Sequence, residues 1–328
     1  DVRPTRAEAV YRTLLVLDQQ GRLNLEKGAD TLAAEAMMWR GNPLEADMDK
    51  LLAELYFRKG DYRDGFDTVR SAVQYFPDSV PITALQQEAK TQFTDLFLNG
   101  RADSLDPVTA LGIYYDFRAL TPPGAQGDQM IRNLASRLIK LDLLGQAADL
   151  LKYQVDNRLA GAARAQVAAD LAIVLIADRR PQEALQALHE TDLADLPPGL
   201  QRQRRVLEAR ALIDGGRNDL ALDLMAKMTG RDVDLLRIDA NWGAKRYDQA
   251  AELLEQLYAT GDKVDTMSQA GRTNILKAAV GYVMANDPIG SSRLRSKFSE
   301  AMSQSAEWPL FDYLTGPVST SSLDFKKA

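Results

Sequence analysis

Asp142-Leu143-Leu144-Gly145-Gln146-Ala147, Gly216-Arg217-Asn218-Asp219-Leu220-Ala221 and Lys245-Arg246-Tyr247-Asp248-Gln249-Ala250 carry one short pattern. Each is a break, then an acid or a tyrosine, then an alanine that opens an amphipathic helix. A fourth copy, Arg179-Arg180-Pro181-Gln182-Glu183-Ala184, lies between the first two, so the alanines stand at 147, 184, 221 and 250, in steps of 37, 37 and 29. A period of this size marks one supersecondary unit used repeatedly. Two short helices cannot bury an apolar face alone, so each pair stacks on its neighbours. The product is a solenoid with a long surface rather than a pocket, which points to a binding protein.

The fullest single copy runs from Ala46, where Ala53, Tyr56, Gly60, Tyr62, Ala72 and Pro77 fall at offsets 8, 11, 15, 17, 27 and 32, with Gly65 at offset 20. This resembles the tetratricopeptide repeat, a 34-residue helix–turn–helix unit. The resemblance covers roughly residues 46–260 and is weakest over 80–125. In such a unit the small residues let the two helices approach, the tyrosine fills the gap between units, and the proline stops the second helix because it lacks an N–H. The same frame puts Ala135, Ala172, Ala209 and Ile238 at the first helix's packing site. The frame predicts an all-α fold, a right-handed α-α superhelix (solenoid) of stacked antiparallel helix pairs. Its divisions are an N-terminal pair or divergent repeat over 1–45, repeats over 46–260, capping helices over 261–304, and an aromatic cap with an extended tail over 305–328.

The rest of the chain agrees. Gly and Pro gather at breaks such as Gly41-Asn42-Pro43, Thr121-Pro122-Pro123-Gly124, Leu196-Pro197-Pro198-Gly199 and Asn286-Asp287-Pro288. Between them apolar residues recur at helical spacing, and no run alternates with period two. Helices are expected over 5–20, 26–39, 47–59, 62–75, 81–99, 106–119, 128–142, 145–157, 162–178, 181–190, 199–214, 217–228, 232–243, 247–259, 267–285 and 290–304. Thr5 and Glu8 have the spacing of a capping box, and Pro107 and Pro181 suit a first helical turn. Asp61, Asp64 and Asp67 read as an acidic first turn. The segment Trp308-Pro309-Leu310-Phe311-Asp312-Tyr313-Leu314 is expected to dock on the final helices, because a solenoid end must hide its apolar face. The tail from Gly316 onward reads as extended.

The chain has 328 residues, 45% hydrophobic and 26% charged, with a net charge of −6. An acidic chain argues against nucleic acid as a partner, which calls for a basic face. The one dense basic run, Arg202-Gln203-Arg204-Arg205, reads as a solvated helix face, with Arg204 and Glu208 spaced to pair. No stretch has the apolar length of a membrane span. The chain opens at Asp1 without a methionine, as a processed product or a piece of something longer would. There is no cysteine, which removes disulfides and thiolate chemistry and, with that start, weakly favours a periplasmic over a cytoplasmic setting.

The search for chemistry yields no catalytic, cofactor or metal site. The only histidine, His189, sits at a helix C-terminus, where the dipole favours it. The acids at 61, 64 and 67 lack the EF-hand pattern, and there is no phosphate loop. The chain therefore reads as a scaffold that binds a protein or peptide segment, with no enzyme activity and with self-association left open. In tetratricopeptide units, offsets 2, 5, 9 and 12 of the first helix line the groove. In the unit from Ala46 these are Asp47, Lys50, Glu54 and Phe57, which do not reproduce the clamp that some family members use for a terminal carboxylate. In later units they include Arg132, Ile176, Arg210, Asp239 and Trp242, the expected partner-binding groove. Trp242 is either its aromatic anchor or core packing between units. A bacterial envelope machine, in secretion, motility or surface-polymer assembly, is the setting suggested by family analogy. The competing reading is an enzyme or lytic factor with a carboxylate inside a helical superhelix, for which Glu183, Glu208 and Glu252 are the candidates; a buried, isolated carboxyl with a raised pKa would favour it.

Overall fold

A computed structural model describes residues 3–38, 43–259 and 267–316. Those residues form helices and connecting turns, with no strand among them. The chain divides into two compact units, 1–150 and 151–328. The first contains α1 (Arg3–Gln19), α2 (Leu25–Met38), α3 (Pro43–Lys59), α4 (Tyr62–Tyr75), α5 (Val80–Leu98), α6 (Pro107–Asp116) and α7 (Ala125–Lys140), with short 3-10 turns at Arg101–Ser104 and Arg118–Leu120. Helix α8 (Leu144–Asn157) runs across the division. The second contains α9 (Gly161–Ala177), α10 (Pro181–His189), α11 (Pro198–Asp214), α12 (Asn218–Met225), α13 (Arg231–Gly243), α14 (Tyr247–Ala259), α15 (Gln269–Met284), α16 (Pro288–Ser303) and α17 (Trp308–Thr315).

Each unit is a stack of antiparallel pairs. In the first, α3 packs on α4, and the first helices α3, α5 and α7 pack in sequence. In the second, α9 packs on α10, α11 on α12 and α13 on α14, while α11 packs on both α9 and α13. One turn builds seven of the hairpins. Gly21, Gly60, Asp142, Arg179, Gly216, Lys245 and Asn286 all take the left-handed conformation, with φ between 55° and 92°. The N–H of the next residue then reaches the carbonyl five residues back: Asp61 to Tyr56, Leu143 to Leu138, Arg180 to Leu175, Arg217 to Leu212, Arg246 to Asn241. This is the Schellman closure, which satisfies carbonyls that the helix end leaves orphaned. In four of these turns the left-handed residue stands five before a repeat alanine, and Ala147, Ala184, Ala221 and Ala250 are all fully buried. The backbone reversal thus fixes which side chain of the second helix faces the first.

Close packing explains the small residues. Gly65 lies against the Phe57 ring, and a Cβ there would come within 2.6 Å of it. Ala53, Ala72, Ala135, Ala172, Ala209 and Ile238 are all buried. An aromatic cluster, Phe57, Phe66, Phe93, Phe97, Tyr114 and Phe117, fills the first unit from α3 to the turn after α6. In the second unit α17 closes the stack, with Phe311 buried and Trp308 and Leu314 packed on the core of α14, α15 and α16.

Several local expectations change. The segment from Trp308, expected only to dock as an aromatic cap, is itself a helix. Helix α3 starts at Pro43, four residues before the expected 47, because proline is well suited to a first turn. Thr5 lies inside α1, and Glu8 bonds Arg12 at 2.6 Å, one turn on, instead of closing a capping box. Of the run at 202–205, Arg204 is not solvated: it is 6% exposed and donates to the Ala165 carbonyl at 2.7 Å, to Thr191 Oγ1 at 3.1 Å and to the Leu188 carbonyl. Burial pushes its pKa down, against the pull of Asp192 and Glu208. Glu208 pairs with His189 Nε2 at 2.9 Å instead of Arg204. Beyond Gly316 the expected tail lies outside the described residues, as do Trp39 and 260–266.

Candidate protein-binding face

The first helices α11, α13 and α15 present a connected band of charged and aromatic side chains in the second unit. Arg202 at the start of α11 makes a two-pronged bond to Asp232 at the start of α13, with both distances 2.8 Å. That bond holds the Asp232 carboxyl below the usual carboxylate range. Eight residues further along α11, Arg210 bonds Asp214 at 3.1 Å and reaches Asp239 of α13 at 3.4 Å. Asp239 is shared: Lys277 of α15 stands 3.6 Å from its other oxygen. The Lys277 ammonium also lies over the Trp242 ring, 5.0 Å from its centre. Trp242 in turn meets Tyr247 edge-on, with centroids 5.4 Å apart.

Three of the five residues expected to line a groove, Arg210, Asp239 and Trp242, are therefore joined in one cluster, with Lys277 as the link. Ile176 is half-buried near the end of α9. Arg132 belongs to the first unit, where it donates to Gln129 of its own helix at 2.9 Å. Trp242 is half-buried and packs on the α14–α16 core, with the Lys277 ammonium over its ring. Exposed ion pairs of this kind contribute only about 0–1 kcal/mol each to stability. Their main physical effect is to hold charges of both signs in fixed places, which favours orientation and selectivity in binding.

Lys277 was outside the repeat frame, which stopped near 260. The signal to extend it was present: Asn286 stands seven residues after Ala279, as Asp142, Arg179, Gly216 and Lys245 stand after the packing residues 135, 172, 209 and 238. A second feature, arginines of first helices that cap the preceding second helix, was not legible. Arg164 donates to the Val155 carbonyl at 3.0 Å, Arg204 to Leu188, and Arg237 to Met225 and Met228 at 2.7 and 2.6 Å. These arginines occupy different repeat offsets, so no pattern in the sequence announces them.

The acid candidates have plain surroundings. Glu183 accepts two bonds from Arg180, both 2.7 Å, and that pairing lowers its pKa. Glu252 is exposed on α14. Among the described residues the most buried acid is Glu255, 1% exposed. Its burial raises the pKa, but bonds from Arg293, Lys297 and Tyr282 outweigh that and leave it lowered. Glu54 is pushed up, chiefly by burial and then by Glu88 and Asp18 against the pull of Lys50; it keeps a partly exposed side chain with Lys50 3.8 Å away. No group of three metal-ligating side chains is present among the described residues.

The left-handed turn, the buried alanine five residues on and the glycine against Phe57 together define the hairpin. The helix pairs are tetratricopeptide-like. Over 94% of this chain and 97% of the other, the structure is similar to a tetratricopeptide repeat protein from Parabacteroides merdae, with 12% sequence identity and a TM-score of 0.34. That likeness adds no weight to the fold, which rests on the helix pairs themselves. No protein-family model matches the sequence, and no curated protein matches it.

Proposed function

We propose that the chain is a non-catalytic interaction scaffold, and that the band formed by Arg210, Asp239, Trp242 and Lys277 holds a segment of a partner protein. The observation that carries this reading is the sharing of Asp239 between Arg210 and Lys277 across three first helices. It sets a fixed order of charges beside an aromatic ring, among residues that the repeat frame expects to face a ligand. The stack offers such faces rather than deep pockets. A bacterial envelope machine is the setting we attach to it, supported by the family analogy and by a chain without cysteine.

Trp242→Ala would remove packing and binding together, so the better test exchanges the rung. Arg210→Glu with Asp239→Arg keeps an ion pair between α11 and α13 but reverses its order. The exchanged protein is expected to keep its helical signal and to lose the partner that co-purifies with the wild type from native cells. Recovery of the same partner in the same yield would remove this band from the reading.

A further inference from the structure

Asparagine is followed by glycine once in the chain, at Asn99-Gly100, where α5 ends. Both residues are exposed. Asn99 caps α5, with φ −97° and ψ 11°, and its N–H donates to the Asp95 carbonyl at 3.2 Å. Gly100 takes the left-handed conformation, φ 80° and ψ 8°, and leads into the 3-10 turn Arg101–Ser104. A residue with a Cβ seldom adopts that conformation, so the turn calls for glycine.

The peptide unit between these two residues is unfastened. Among the described residues, neither the Asn99 carbonyl nor the Gly100 N–H makes a backbone hydrogen bond. The chain is next held where the Asp103 N–H reaches the Gly100 carbonyl, at 3.0 Å. The Asn99 side chain makes one bond, from Nδ2 to Asp95 Oδ1 at 2.7 Å. Turning ψ of Asn99 against φ of Gly100 therefore swings this peptide unit without breaking a backbone bond. The swing carries the Gly100 nitrogen toward Asn99 Cγ, the approach that ring closure needs. Glycine also leaves its nitrogen open to that approach, because no Cβ stands beside it. Asn286 provides the contrast. It too is exposed and left-handed, but the following N–H, that of Asp287, is held by the Tyr282 carbonyl at 2.9 Å. Asn157 likewise precedes an N–H that is held, from Arg158 to the Gln154 carbonyl at 3.1 Å.

We propose that Asn99 is a site of spontaneous deamidation. The Gly100 nitrogen attacks Asn99 Cγ. The N–Cγ bond forms, the Cγ–Nδ2 bond breaks, and ammonia leaves with the Gly100 amide proton. Water then opens the cyclic imide at either carbonyl, and nothing is oxidised or reduced. One opening leaves aspartate, the other an isoaspartyl linkage through the side chain. Either product sets a carboxylate one turn after Asp95, at a helix C-terminus, where negative charge is disfavoured. The change falls at the joint of α5 and α7, since Arg137 of α7 donates to the Ala102 and Leu105 carbonyls just beyond it.

The test incubates the full chain in mildly alkaline buffer made with heavy-oxygen water. Samples are then digested with trypsin in ordinary water, and the peptide Thr91–Arg101 is followed by mass spectrometry. The label separates conversion during the incubation from any earlier change. The expected result is a pair of labelled products, aspartyl and isoaspartyl, while the peptide Ala278–Arg293, which carries Asn286, stays unchanged. Gly100→Ala should slow conversion by about tenfold or more, equal to about 1.4 kcal/mol in the barrier. The folded chain should react within about tenfold of a synthetic Thr91–Arg101 peptide, because only the contact with Asp95, on the order of one hydrogen bond, has to break. Should Gly100→Ala lose its fold by circular dichroism, Asn99→Gln leaves the turn intact and should abolish the labelled products. Asn99 left intact in the folded chain after the free peptide has reacted overturns the proposal. So does conversion of Asn286 before Asn99, or a folded Gly100→Ala variant that reacts as fast as the wild type.

Discussion

Replacing Glu255 probes the joint between α14, α15 and α16. The carboxylate accepts from the Tyr282 hydroxyl at 2.7 Å, from Arg293 Nε at 3.1 Å and from Lys297 Nζ, and Arg293 also donates to the Tyr282 oxygen at 2.8 Å. Removing one member of a fully buried pair costs about 3–5 kcal/mol because a buried charge is left alone. Here the two cations keep 42% and 46% of their side-chain surface in solvent, so they rehydrate when released and the cost falls. Glu255→Gln retains an oxygen for Tyr282 and should cost about 2 kcal/mol, the scale of one charge-assisted hydrogen bond. Glu255→Leu also strips the buried hydroxyl of its acceptor, which adds about 1–3 kcal/mol. Urea unfolding followed by tryptophan fluorescence reads this region directly, since Trp242 and Trp308 both pack on the same core. The pH dependence has a definite sign. The folded pKa lies below the ordinary 4.5, so the contribution is complete above 4.5 and is lost as pH falls through the lower folded value. The wild-type advantage over Glu255→Gln should shrink across that acid window. A variant within about 0.5 kcal/mol of wild type at neutral pH, well under one such bond, would refute the reasoning. So would a Leu variant more stable than Gln, which would mean that desolvating the network costs more than its bonds return.

Two further outcomes test the hairpin. Ala209 is fully buried on α11, so Ala209→Leu should overpack the site and lower stability by about 1–3 kcal/mol; an unchanged melting temperature would displace the repeat register. Gly216 and Lys245 occupy the same left-handed position in successive turns, at φ 75° and 61°. Gly216→Ala meets no atom within 4 Å yet should cost about 1–2 kcal/mol from backbone strain alone, while Lys245→Gly should lose little or gain slightly in melting temperature. Equal losses in both would show that the turn conformation is not what sets the cost.

The repeat and its helices were legible because they rest on short-range chemistry: a turn residue, an alanine at fixed distance, and a proline that ends or starts a helix. Ala147, Ala184, Ala221 and Ala250 are buried for the reason their spacing suggested. What escaped was long-range. The basic run at 202–205 looks uniform, but helix rotation sends Arg204 inward to backbone carbonyls and Arg202 across to Asp232. Glu208 is in register with Arg204, yet α10 brings His189 to it first. Arg210, Asp239 and Trp242 were named from offsets, whereas the side chain that joins them, Lys277, comes from a helix beyond the frame.

Site-specific photo-crosslinking addresses the central claim most directly. A benzophenone side chain would be placed at Arg210 or Lys277 on the first-helix band, and at Asp223 on α12 or Gln256 on α14 as second-helix controls, with crosslinking in native cells and analysis of the adducts. Discrete adducts to one protein from the two band positions, and none from the controls, are the predicted result. Adducts from the second-helix positions alone would contradict the account.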